Sequence, residues 1–285
     1  MIRWIGALTL TGTIAAAALF GFAGEAAAQA AQAGQGPADW QMGLQSAASE
    51  RMSRIVDLHN FVLWIITIIC LFVLGLLVWI MVRFNEKANP TPTATTHNTI
   101  LEVLWTVVPV AILVAIAIPS FRLLYYVDVI PPADLTIKAI GKQWYWSYEY
   151  PDNGNFTFDA LMLSDRVAAQ NGEPRLLGTN NHVIVPVNKT VRIITTGADV
   201  IHAWAIPAFG VKIDAVPGRL NQTWFNANRE GKFYGECSEL CGARHAFMPI
   251  TVEVVSQERF DRWIQEARTK FATVGAPTRV AAEQP

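Results

Sequence analysis

Three long apolar runs occupy the first 125 residues, and short alternating runs occupy most of the rest. The first run follows Arg3, extends to Phe22 and gives way to small residues ending Ala28-Gln29-Ala30. A positive start, an apolar middle and an A-x-A-like end predict a secretory signal peptide over 1–30, cleaved after Ala28 or Ala30. A retained membrane anchor is the alternative; Glu25 and the polar, Ala/Gln-rich sequence beyond it favour cleavage. Residues 31–57 are a polar segment leading into an amphipathic stretch with Trp40, Met42 and Leu44, expected outside the cytoplasm. From 58 to 82 there is no Asp, Glu, Lys or Arg, a run of 25 positions. At about 1.5 Å per residue, such a helix exceeds the roughly 30 Å hydrocarbon layer. Arg83 stops it. The loop 83–99 holds Arg83, Lys87, two prolines and a single acid, Glu86. A second span is expected over 101–123, its uncharged core of 103–121 bracketed by Glu102 and Arg122. It contains Pro109 and Pro119, which bundled membrane helices tolerate better than soluble ones. A signal peptide followed by two spans leaves both ends outside and the 83–99 loop in the cytoplasm, in line with its two basic residues.

Beyond Asp128 the period changes. Short β-rich runs broken by Gly, Pro and Asn fall at 134–140, 142–150, 155–161, 182–187, 190–196, 200–206, 211–216, 219–226, 231–236 and 249–255. Many short strands with turn residues between them predict an all-β sandwich or barrel over 128–255. Residues 256–272 carry the spacing of an amphipathic packing helix, and the end of the 256–285 segment reads as a loose tail.

Hydrophobic residues make up 52% of the 285 and charged residues only 16%, an excess that the apolar runs absorb. A formal net charge of −1 gives no case for nucleic acid, which wants a basic surface. Three cysteines make no disulfide framework, and Cys70 lies inside an apolar run as a small hydrophobe.

The other two cysteines belong to the densest chemistry in the chain, the stretch 235–248. Its spacing is Cys237-x3-Cys241-x3-His245-x2-Met248, with His202 further upstream. Soft sulfur with imidazole suits copper; one Cys, two His and a weak Met describe a mononuclear blue-copper site. A second thiolate allows a pair of coppers bridged by two sulfurs, each metal with one His. A plain disulfide is the competing reading for two cysteines outside the cytoplasm.

The Cys-Ser-Glu-x-Cys-Gly-x-x-His-x-x-Met loop, and nearly every segment before it, resembles subunit II of the haem-copper cytochrome c oxidases over about residues 50–260. The resemblance implies a bacterial inner-membrane protein: a two-helix transmembrane hairpin followed by a cupredoxin-like Greek-key β-sandwich in the periplasm. It implies a binuclear copper A centre held by His202, Cys237, Cys241, His245 and Met248, with the Glu239 carbonyl as a further ligand. The Glu239 carboxylate would help hold magnesium (or manganese) shared with subunit I. Electrons would arrive from a c-type cytochrome at Trp144 and pass to haem in subunit I, where oxygen is reduced and protons are pumped. No oxygen chemistry is expected in this chain.

Other residues divide between this resemblance and plainer readings. Glu102, in Ile100-Leu101-Glu102-Val103-Leu104-Trp105-Thr106, matches a proton-path mouth; a carboxylate at a membrane edge is otherwise a stop signal. In the run 142–150, period-2 geometry puts Trp144, Trp146, Tyr148 and Tyr150 on one strand face, ordinarily core packing. Glu149, Asp159, Asp199 and Asp214 fall where the family docks a lysine-rich cytochrome, although each is also an ordinary surface acid. Residues 128–255 carry 13 acids and 11 bases, a bias too small to decide between them. Asn180, Asn181 and His182 stand where many relatives carry an acid before the Val-Ile-Val-Pro strand. A quinol-oxidase-type subunit II would lack the copper ligands. A membrane-tethered copper carrier would have no need of Trp144 or Glu102.

Overall fold

The computed structural model describes residues 36–91 and 93–271; the expected signal peptide and the tail beyond 271 lie outside the described residues. The chain divides into a helical unit over Ser53–Ile130 and a β-rich unit formed by the sequence on either side.

Two helices dominate the first unit, α1 (Glu50–Arg83) and α2 (Thr99–Asp128). Both outrun the expected spans, because helical hydrogen bonding continues past the apolar run until a cap ends it. Ser49 Oγ accepts from the Met52 amide at 3.0 Å, and Asn98 Oδ1 accepts from the Ile100 and Leu101 amides at 3.1 and 3.2 Å. Trp64, Phe72 and Trp79 on α1, and Trp105 and Phe121 on α2, are exposed in the isolated chain. So continuous an apolar surface has to meet lipid or another membrane chain.

Among the described residues the β-rich unit has ten strands, one to each expected run, with β1 ending two residues and β5 one residue beyond theirs: β1 (Leu135–Lys142), β2 (Tyr145–Tyr150), β3 (Phe156–Ala160), β4 (Val183–Pro186), β5 (Thr190–Gly197), β6 (His202–Ile206), β7 (Val211–Ala215), β8 (Asn221–Asn226), β9 (Gly231–Glu236) and β10 (Pro249–Val255). They build a five-stranded sheet in the order β3-β2-β1-β5-β8, a three-stranded sheet β4-β10-β9 and the pair β6-β7. The parallel pairs β1–β5 and β4–β10 are crossovers in an otherwise antiparallel set, giving a Greek-key β-sandwich. Along β5 the alternation is clean: Val191, Ile193 and Thr195 point inward between Arg192, Ile194 and Thr196. Inner positions of the sheets converge on one core around Trp146, Trp204, Phe209, Phe225 and Phe233.

One expectation fails here. Trp144 does not share a strand face with Trp146, Tyr148 and Tyr150. Lys142 pairs with Tyr145, so Gln143 and Trp144 are the two-residue turn of the β1–β2 hairpin. Tight turns rotate their side chains out of the strand alternation, which leaves Trp144 half-buried at the sandwich end while Trp146, Tyr148 and Tyr150 are buried.

Two further elements complete the unit. Helix α3 (Asp165–Gln170) is short, and α4 (Gln257–Phe271) buries Phe260, Ile264 and Ala267. The segment before α1, expected as a linker, is stitched to the sandwich. Ala48 donates to Ala208 O at 2.8 Å and accepts from Asn228 N at 3.0 Å; Arg229 reaches Ala47 O at 3.1 Å.

Candidate metal centre

Strands β9 and β10 are antiparallel neighbours, with Glu236 opposite Pro249, so 237–248 is the long loop between them. The Cys237 amide donates to Met248 O at 3.4 Å, closing the loop at its base. The Ser238 amide donates to Ala203 O at 3.0 Å, tying the loop to β6 beside His202. From the other side, Gln143 Nε2 and Trp144 Nε1 both donate to Cys241 O, at 2.8 and 3.2 Å. Gly242 follows with φ of +121°, where a Cβ would come within 3.1 Å of Gln143 and Trp144, so the loop passes that turn only with glycine.

This scaffold brings the soft donors together. Cys237 and Cys241 are free thiols with sulfurs 3.9 Å apart. His202 Nδ1 lies 3.8 Å from Cys237 Sγ, and His245 Nδ1 lies 3.6 Å from Cys241 Sγ. Met248 Sδ is 3.5 Å from Cys241 Sγ, and the Glu239 carbonyl oxygen is 3.4 Å from Cys237 Sγ. His202, both cysteines and Met248 are buried, while His245 is half-buried at the rim. Among the described residues, His202, Cys237 and Cys241 are the cluster of His, Cys, Asp or Glu whose ligand atoms lie within 4.8 Å of one another.

Electrostatics favours a thiolate at the centre. Burial pushes the Cys237 thiol up, but contacts with His202 and the Glu239 and Ala203 backbone outweigh it and bring it down to about 7. Cys241 moves the other way, raised by burial and by the negative charge on Cys237. His202 is raised despite its burial, because Cys237 and Asp199 both stabilise a proton there. Two sulfurs with one imidazole nitrogen each, a thioether and a carbonyl make a donor set that fits copper.

The pattern of the family described as "Cytochrome C oxidase subunit II, periplasmic domain" matches residues 135–255, and that of its transmembrane domain matches residues 37–123. The chain belongs to the cytochrome c oxidase subunit II family. A probable cytochrome c oxidase subunit 2 of Rickettsia bellii is 49% identical over 246 residues, covering 86% of this chain and 91% of the relative. That of Rickettsia prowazekii is 52% identical over 228 residues, or 80% and 72% of the two chains. The crystal structure of the periplasmic domain of subunit II from Bradyrhizobium japonicum is 62% identical, covering 50% of this chain and 99% of that one with a TM-score of 0.47. As a subunit II, the protein is part of a haem-copper oxidase complex. Subunit I is its implied partner, and its β-sandwich is the periplasmic domain of a membrane protein.

The remaining candidates of this subunit II are scattered. Glu239 is exposed on the ligand loop. Glu102 lies in the first turn of α2, in the other unit. Glu149 and Asp159 occupy the outer face of the five-stranded sheet: Glu149 pairs with Lys138 at 3.3 Å, and Asp159 bonds to Ser147 and lies 4.0 Å from Lys142. Asp214 is exposed on β7, with no ion pair among the described residues. Asp199 turns inward to His202, at 2.8 Å. Sequence reasoning did not single out Gln143, which braces Cys241, or Gly141, where an added Cβ would stand 2.6 Å from the His202 ring. Neither carries a ligand atom, so no spacing rule could find them.

Proposed function

We propose that this subunit II accepts electrons from a c-type cytochrome at a binuclear copper A centre and hands them to haem in subunit I, for oxygen reduction coupled to proton pumping. The observation that carries the reading is the pair of free, buried sulfurs 3.9 Å apart, each with its own imidazole nitrogen within 3.8 Å. His202, Cys237, Cys241, His245 and Met248 would hold the coppers, with the Glu239 carbonyl completing the set. Bound there, a copper pair would supply one-electron storage with little rearrangement between oxidation states.

The chain's own residues account for the rest. His202 opens β6, Met248 directly precedes β10, and both are buried, so these donors keep their places whatever the charge between them. Trp144 links the outside to the ligands: its half-buried ring is at the sandwich end, and its indole N–H is bonded to the Cys241 carbonyl. Glu149, Asp159 and Asp214, with the edge of Asp199, would steer a lysine-bearing cytochrome toward that ring. The exposed Glu239 carboxylate is free to meet magnesium or manganese at the subunit I boundary, and Glu102 to receive protons at the cytoplasmic mouth of subunit I. The inner-membrane hairpin, the cleaved signal peptide and the segment bounds of the sequence reading belong to the same proposal.

Copper stoichiometry tests it. The purified oxidase should lose the coppers of this subunit in Cys237→Ser while its haem remains, and turnover with cytochrome c should vanish. Full turnover in Cys237→Ser would refute the assignment. Glu239→Gln should lower the bound magnesium or manganese more than the copper.

A further inference from the structure

Beyond any share in docking, the Asp199 carboxylate is committed inward. Oδ1 accepts from His202 Nε2 at 2.8 Å and from the Val200 amide at 2.7 Å, and Oδ2 accepts from the Gln143 amide at 2.7 Å. About a third of the side chain is exposed, at 34%. Gln143 in turn donates its side-chain amide to Cys241 O at 2.8 Å. One continuous brace therefore runs from His202 through Asp199 and Gln143 to Cys241, joining strand β6 and the ligand loop through the β1–β2 turn.

The brace decides which nitrogen of His202 is available. Nε2 is engaged by Asp199, so Nδ1 is the nitrogen that faces Cys237 Sγ, at 3.8 Å. The ring has little freedom to choose otherwise. Gly141 lies flat beneath it, and the edge of Trp146 packs against it with centroids 5.9 Å apart.

We infer that Asp199 is a positioning residue for the copper ligand His202, fixing its tautomer and ring plane and lending it negative charge. A carboxylate behind a ligating imidazole strengthens it as a donor and favours the more positive, oxidised form of the metal. This rests on the copper reading above. Asp199→Asn removes the charge and sets an amide NH2 against a backbone N–H, while keeping the size of the side chain.

The test is made on the purified oxidase complex, comparing wild type, Asp199→Asn and Asp214→Asn. In Asp199→Asn the reduction potential of the copper centre should rise, its EPR hyperfine pattern should change, and its affinity for copper should fall about 10–100-fold. In Asp214→Asn, which keeps the brace intact, potential and spectrum should match wild type while KM for cytochrome c rises. If Asp199→Asn instead keeps the wild-type potential and spectrum and changes only KM, Asp199 serves docking alone and the inference is wrong. A wild-type complex with no copper signal from this subunit overturns both the copper reading and the inference. Should Asp199→Asn not assemble, Asp199→Glu retains the charge but misplaces it. Weaker copper binding at unchanged KM then supports the brace, and unchanged copper binding at raised KM overturns it.

Discussion

A single methyl group shows how closely the site is built. Gly141 sits on β1 under the His202 ring, and a Cβ there would lie 2.6 to 2.8 Å from three of its side-chain atoms. Overpacking of that kind costs about 1–3 kcal/mol. Gly141→Ala should therefore lower both the thermal midpoint and the copper content; unchanged copper content would mean the ring position is not critical. Trp144 makes a different kind of contact, a hydrogen bond to the Cys241 carbonyl from a half-buried ring. Trp144→Ala should sharply slow turnover with cytochrome c while leaving the copper spectrum in place. Loss of the spectrum as well would make Trp144 a structural clasp instead. At this scale the sequence was legible only for groups that bear ligands. His202, Cys237, Cys241, His245 and Met248 announce themselves by donor type and order, and the structure brings their donor atoms together. Gly141, Gln143 and the inward turn of Asp199 act through shape and backbone bonds, which no residue type reveals.

Elements were far more legible than their joints. Each of the ten short β-rich runs corresponds to a strand, because alternation and turn residues both mark it. The misjudged positions are junctions. Trp144 continues the aromatic alternation but falls in a two-residue turn, since pairing of Lys142 with Tyr145 leaves two residues to close the hairpin. The stretch 46–52 looks like a linker, having few apolar residues, yet backbone bonds from Ala48 to Ala208 and Asn228, and the Arg229 guanidinium on the Ser46 and Ala47 carbonyls, hold it to the sandwich. Ser49 is its pivot. It is fully buried, donating to Phe209 O at 2.9 Å while capping α1. Ser49→Ala should destabilise the full chain by about 1 kcal/mol for the cap, with more for the unpaired carbonyl. A thermal midpoint equal to wild type would show that this segment adds nothing.

For the whole β-rich unit, pH reports on a second polar cluster away from the thiols. His182 Nδ1 lies 3.2 Å from Glu253, which also accepts from Arg259 at 2.9 Å. Nearby, buried Glu173 bonds to Lys232 and accepts from the Tyr234 hydroxyl at 2.6 Å. The His182 hydrogen bond, against the pull of burial and with help from Arg259, holds the Glu253 carboxyl below its ordinary 4.5. A group depressed on folding stabilises the fold fully above its unfolded value and ceases to do so as pH falls through the folded one. Thermal stability should thus decline as pH falls below about 4.5, and Glu253→Gln should flatten that decline while lowering stability at neutral pH. An acid profile identical to wild type would remove Glu253 from the account.

Two free thiols and two imidazoles converge at one end of the sandwich. The most direct measurement is the EPR spectrum of the oxidised, purified oxidase carrying this subunit. Hyperfine splitting from one electron shared by two copper nuclei is expected, and its loss in Cys237→Ser. Splitting from a single copper, or no copper signal with Cys237 and Cys241 joined as a disulfide, would contradict it.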